Sequence, residues 1–115
     1  MDNIKIVNIK NKNLFLNLIK SHNLHMINEN RSGILKDTNH KNMRVAVITE
    51  DLNKKIVGCA CSSKKYSCQV YVLPAYRGLG IAKKLIDGMD VSKVDKRENL
   101  KHLWKYGKNY RSTET

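Results

Sequence analysis

The sequence predicts an α/β (α+β) domain with a mixed, mostly antiparallel central sheet flanked by helices. Three observations carry this. A buried-strand run, a glycine-rich turn and an amphipathic helix follow one another over residues 68–90. Two β-rich runs joined by a short polar turn form a hairpin over residues 43–62. An amphipathic helix follows a first strand near the N-terminus.

The chain has 115 residues, 41% of them hydrophobic, enough for one small domain with one core spanning 1–115. It has no apolar run of about 18 residues, so no transmembrane helix is expected. Its first residues lack the basic-then-apolar pattern of a secretory signal, and cytoplasmic residence is the default expectation. Three cysteines, Cys59, Cys61 and Cys68, sit in expected strands and suit reduced thiols. Cys59 and Cys61 share one face of their strand. There is no Cys-x-x-Cys and no metal-ligand spacing among His22, His25, His40 and His102, so no metal is expected.

In chain order, Ile4 to Ile9 reads as the first strand. Asn13 is the expected N-cap of a helix whose face is Leu14, Phe15, Leu18 and Ile19, ending near Ser21 or His22. Leu24, Met26 and Ile27 begin a second, shorter helix. Residues 28–42 are polar and read as loop, pinned by Ile34 and Leu35. Met43 to Thr49 is a strand, Asp51 to Lys54 the turn, and Lys55 to Ser62 the returning strand.

The strand at Ser67 to Leu73 is stopped by Pro74, which has no N–H for a ladder. Ile81, Ala82, Leu85, Ile86 and Met89 then mark the buried face of a helix, with Lys83, Lys84, Asp87 and Asp90 opposite. The amides of a helix's first turn have no intrahelical partner, and the dipole places partial positive charge there. Glycines just before it let a ligand reach the backbone, and phosphate is the usual occupant. Arg77 adds a fork of donors. A Walker loop would need Gly-Lys-Ser/Thr, but Ile81-Ala82 follows Gly80. A dinucleotide fingerprint would need Gly or Ala where Lys83 stands.

Arg77-Gly78-Leu79-Gly80-Ile81-Ala82 fits Arg/Gln-x-x-Gly-x-Gly/Ala at every specified position. In this strand–loop–helix setting the chain resembles the GCN5-related N-acetyltransferases, closely over residues 68–90 and more loosely in the order of elements before them. The resemblance implies that acetyl-coenzyme A lays its pyrophosphate on the amides of Gly78, Leu79, Gly80, Ile81 and Ala82 beside Arg77. It implies that the pantetheine arm pairs with backbone near Tyr71 and Val72, which can also polarise the thioester carbonyl. An amine acceptor on a protein, a small molecule or a nucleic-acid-associated molecule would attack directly in a ternary complex. Relatives shape the acceptor pocket between the first helix and second strand, here residues 28–42.

Two proton transfers are then needed. Glu50 is the carboxylate candidate for the base, although its place suits a turn equally. A tyrosine on the helix after the cofactor helix protonates the thiolate in many relatives. Tyr106 is the best match and Tyr110 the second, and packing at a core edge explains Tyr106 as well. Only residues 91–115 follow the cofactor helix, with Glu98 to Tyr106 as a helix candidate and Lys108 to Thr115 a short strand or tail. The C-terminal lobe is therefore shortened relative to the family. A homodimer lending a strand or helix is one way to complete it.

Net charge is +12, from 22 basic and 10 acidic side chains, which favours nucleic acid, an acidic protein surface or cofactor phosphates as partners. A Lys-, Asn- and Ile-rich composition from an AT-rich genome gives the same balance. Only 5 of the 22 basic residues are Arg, the better groove reader. Seven basic residues against two acidic ones lie between positions 93 and 111. The alternative to the enzyme is thus a basic nucleic-acid-binding or nucleic-acid-modifying protein on the same fold.

Overall fold

A computed structural model of the chain describes residues 3–24, 41–62, 68–92 and 105–109. Strand β1 is Ile4–Asn8, helix α1 Lys12–Ser21, β2 Lys41–Glu50, β3 Asn53–Ser62, β4 Gln69–Val72 and helix α2 Ile81–Ile86. The four strands form one sheet in the order β1-β2-β3-β4, and each neighbouring pair is antiparallel. One parallel bridge, Asp90 to Lys108, lies outside that sheet.

The two-residue repeat of the strands sorts side chains onto two faces. On one face Met43, Val45, Cys59, Cys61 and Tyr71 meet Phe15 and Ile19 of α1. On the other, Ala46, Ile48, Ala60, Val70 and Val72 meet Ile81, Ala82, Leu85 and Ile86 of α2. The chain thus has three layers, α1, sheet and α2. Gly58 lets α2 lie close: a Cβ there would stand 3.1 Å from Leu85 Cδ1 and 3.1 Å from the Tyr71 carbonyl.

Several expected boundaries move. The N-cap of α1 is Asn11, not Asn13; its side chain accepts the Leu14 N–H at 3.0 Å. Pairing of β1 runs on to Ile9, whose N–H donates to Met43 at 2.8 Å, so Asn11 is soon free to start the helix. The hairpin turn shrinks to Asp51-Leu52, with φ of 49° and 70°. Two consecutive left-handed residues are the type I′ geometry that matches strand twist. Asn53 and Lys54 are already strand.

Helix α2 ends at Ile86, not at Asp90. Gly88 takes φ +73°, and the Met89 N–H turns back to the Ile86 carbonyl at 2.9 Å. Met89 is still buried, as its place in the helical pattern requires, but from the segment beyond the helix. Leu24 is buried in the turn after α1. The continuation at Met26 and Ile27, the loop at 28–40, the stretch 93–104 and Tyr110 lie outside the described residues. Of the C-terminal helix expected over 98–106, the described part is a single 3-10 turn at Lys105 and Tyr106.

Candidate acyl-donor site

Leu73 still pairs with the sheet, its N–H donating to Val57 at 2.9 Å. Pro74–Tyr76 then forms one 3-10 turn, with proline at its start where no amide donor is needed. Gly78 and Gly80 hold φ of +83° and +81°, values that L side chains adopt only with strain. A Cβ at either meets nothing within 4 Å, so the space in front of this backbone is open. The Lys84 N–H reaches the Gly80 carbonyl at 3.2 Å and makes the first intrahelical bond. The amides before it, of Ile81, Ala82 and Lys83, therefore have no acceptor within the helix. Open glycine backbone followed by unengaged amides fits a pyrophosphate group.

Arg77 does not reach forward over this cradle. Its Nε donates to the Val72 carbonyl at 2.8 Å, and its guanidinium lies 5.3 Å from the Tyr71 ring centroid. It ties the loop to the end of β4. Tyr71 and Val72 are buried; their side chains enter the α1 and α2 faces respectively. Among the described residues no strand pairs with the other edge of β4. Leu79 is 44% exposed at the loop tip.

A cleft of about 750 Å³ opens beside the loop. Gly80, Lys83, Lys84 and Asp87, at i, i+3, i+4 and i+7, give it the outer face of α2. Ile6 and Asn8 of β1 contribute from the sheet, and Tyr106 from the C-terminal segment. Tyr106 is thus brought to the same cleft as Gly80, with the Lys83 ammonium 4.3 Å from its ring centroid. Glu50 does not line the cleft. It is the exposed last residue of β2, paired with Asn53 beside the turn; β4 runs the same way but ends at Val72, level with Gly58 and Ala46 and short of Glu50. Asp87 is the carboxylate that the cleft contains.

Arg44 is the residue that sequence pattern passed over. It lines the cleft and donates through Nη1 to the carbonyls of Leu85 at 2.8 Å and Asp87 at 2.6 Å. The signal was available: Arg44 shares its strand face with Ala46 and Ile48, so alternation points it at the sheet's helix-covered side. A charge in such a row needs a partner, and the C-terminal carbonyls of α2 supply one.

The cysteines divide between the two faces, Cys59 and Cys61 toward α1 and Cys68 toward α2. Burial pushes the Cys68 thiol from 9.0 up to about 12; Arg44 pulls against this and Asp90 adds to it. That keeps Cys68 protonated and a poor nucleophile. Among the described residues no three His, Cys, Asp or Glu side chains gather as a metal site. Nor is any helix there long and apolar enough to cross a membrane.

The site is thus a glycine loop between β4 and the next helix of a small three-layer α+β fold. The family model of the acetyltransferase (GNAT) domain matches residues 41–113, more than half of the chain. The chain belongs to that family. Comparison with curated proteins and with solved structures finds no match.

Proposed function

We propose that the protein is an N-acetyltransferase that takes its acyl group from acetyl-coenzyme A and passes it to an amine. The open, positive-φ backbone at Gly78 and Gly80, leading into the unengaged amides of α2, is the observation that carries this. When bound, acetyl-coenzyme A supplies an activated thioester carbonyl with a thiolate leaving group. The amides from Gly78 to Ala82 would hold its pyrophosphate. The backbone of β4 at Tyr71 and Val72 would run beside its pantetheine arm, as the family resemblance implies. Arg77, by anchoring on Val72, keeps loop and strand end at a fixed separation.

Tyr106 is the proton donor to the thiolate that the family resemblance implies; its cleft is lined by Ile6 and Asn8 of β1, at the sheet edge opposite β4. Among the described residues Glu50, beside the β2–β3 turn, and Asp87, in the cleft, are the carboxylates proposed as base. Glu50→Gln and Asp87→Asn separate them by the acid limb of the kcat/KM profile.

Calorimetric titration tests the donor site through a matched pair of variants. Gly80→Ala puts a methyl group into the cradle at φ +81°, while Gly88→Ala places the same strain, at φ +73°, beyond the end of α2. Both should lose about 1 kcal/mol of stability. Only Gly80→Ala should weaken acetyl-coenzyme A, by tenfold or more. Equal binding by both variants, or none by folded wild type, removes the proposal.

A further inference from the structure

The loop accounts for backbone amides near Gly80, but not for the cations along the cleft. Lys83 and Lys84 extend from the outer face of α2, and no carboxylate among the described residues pairs with either. Lys105 adds its ammonium 5.4 Å from the Tyr106 ring centroid, and Arg44 stands at the Asp87 end. Among the described residues Asp87 is the single acid lining the cleft. Gly80 to Asp87 spans about 10 Å of helix, roughly the reach of two nucleotides, and 750 Å³ lies within the range of nucleotide-sized pockets. Tyr106 is 41% exposed with the Lys83 ammonium 4.3 Å from its ring centroid, a cation that a base would displace toward its own phosphate, and Asn8 offers an amide to a base edge.

We propose that this groove, between β1, the outer face of α2 and Tyr106, binds single-stranded nucleic acid. Lys83 and Lys84 neutralise backbone phosphates, and Tyr106 provides a stacking surface. The whole-chain charge of +12 supplies the field that steers a polyanion toward it. A single strand suits the groove better than a duplex because its bases are free to reach a ring. An acidic peptide would match the lysines but would leave the ring and Asn8 without a purpose. The groove shares Gly80 and Tyr106 with the proposed acyl-donor site, but its test needs no acetyl-coenzyme A, so the two readings can fail separately.

The test is anisotropy titration of a labelled 12-nucleotide single strand, as RNA and as DNA, at 50 and 200 mM salt. With three phosphate contacts, from Lys83, Lys84 and Lys105, the affinity of wild type should fall about 20-fold across that range. Lys83→Gln with Lys84→Gln should flatten the log–log salt slope by about 1.4 and leave roughly a threefold fall. Tyr106→Leu should weaken binding with the slope unchanged. Lys12→Gln with Lys20→Gln removes equal charge from α1, on the opposite face of the sheet, and should alter the slope little. Circular dichroism on each variant confirms that the comparison is between folded proteins. Equal losses from the two lysine pairs would mean diffuse attraction to the whole surface and would overturn the proposal. So would displacement of the oligonucleotide by poly-glutamate at matched charge concentration.

Discussion

Arg44 and Leu85, 41 residues apart, are joined by a 2.8 Å hydrogen bond from the guanidinium to the main-chain carbonyl. The same nitrogen also donates to the Asp87 carbonyl at 2.6 Å. A six-residue helix is too short to persist by itself, so α2 depends on what packs on it and what caps it. Arg44 caps its C-terminus from the sheet while the other end forms the glycine loop. Replacing Arg44 with Met keeps most of the apolar stem and removes the donors. We expect a loss of about 1–3 kcal/mol in urea unfolding, since hydrogen bonds to charged groups carry roughly that range. Arg44→Lys should recover only part, because an ammonium lacks the planar fork. A Met variant as stable as wild type would show that the two bonds carry nothing.

The β2–β3 turn contains an avoidable cost. Leu52 holds φ +70° with its side chain 98% exposed, so it takes on left-handed strain and buries nothing in return. Asp51→Asn with Leu52→Gly installs the residues that type I′ turns favour. The variant should be more stable by about 1 kcal/mol, read as a higher urea midpoint with an unchanged m-value. A lower midpoint would mean that Leu52 makes a contact outside the described residues.

Cys68 gives a pH signature. Its thiol titrates near 12 in the folded protein against 9.0 ordinarily. Above pH 9 the unfolded chain loses that proton while the native state retains it. The unfolded state then binds fewer protons, and stability falls as pH rises from 9 toward 12. Below pH 9 the contribution is fully present and flat. Unfolding midpoints of wild type and Cys68→Ala at pH 8 and 10.5 should therefore diverge, with wild type declining more steeply. Parallel declines would refute a buried, protonated Cys68. Iodoacetamide at pH 8.5 should label Cys68 far more slowly in native than in urea-unfolded protein.

Much of this molecule was legible in its sequence because the relevant rules are local. Alternation in β2, Pro74 after β4 and the loop glycines each act within a few residues, and each stands where pattern placed it; the alternation of β3 is broken at Val57, which the pairing with β2 skips. What escaped notice depended on partners distant in sequence. Asn11 rather than Asn13 caps α1 because pairing between Ile9 and Met43 decides where β1 releases the chain. The early stop of α2 depends on Gly88 turning the chain and on Arg44 taking the carbonyls. Arg77 fits the loop motif by position, yet its side chain is drawn back by the Val72 carbonyl, an acceptor that a motif cannot display. The groove along α2 was hidden for the same reason, since Ile6, Asn8 and Tyr106 meet Lys83 and Lys84 only after folding.

β4 places Val70 and Val72 in one core cluster and Tyr71 in the other, with all of Gln69–Val72 buried. A slip by a single residue would exchange the two sets, driving Gln69 and Tyr71 into space shaped for valine. The strand is therefore locked against sliding by the layers on both sides of it. Its outer edge then works as a fixed ruler, and Arg77, fastened to its last carbonyl, sets the zero of the scale. A ligand held at the glycine loop and laid along that edge would find its far end at one distance only, so the length of the ligand, rather than any movement of the strand, would determine what reaches the reacting position.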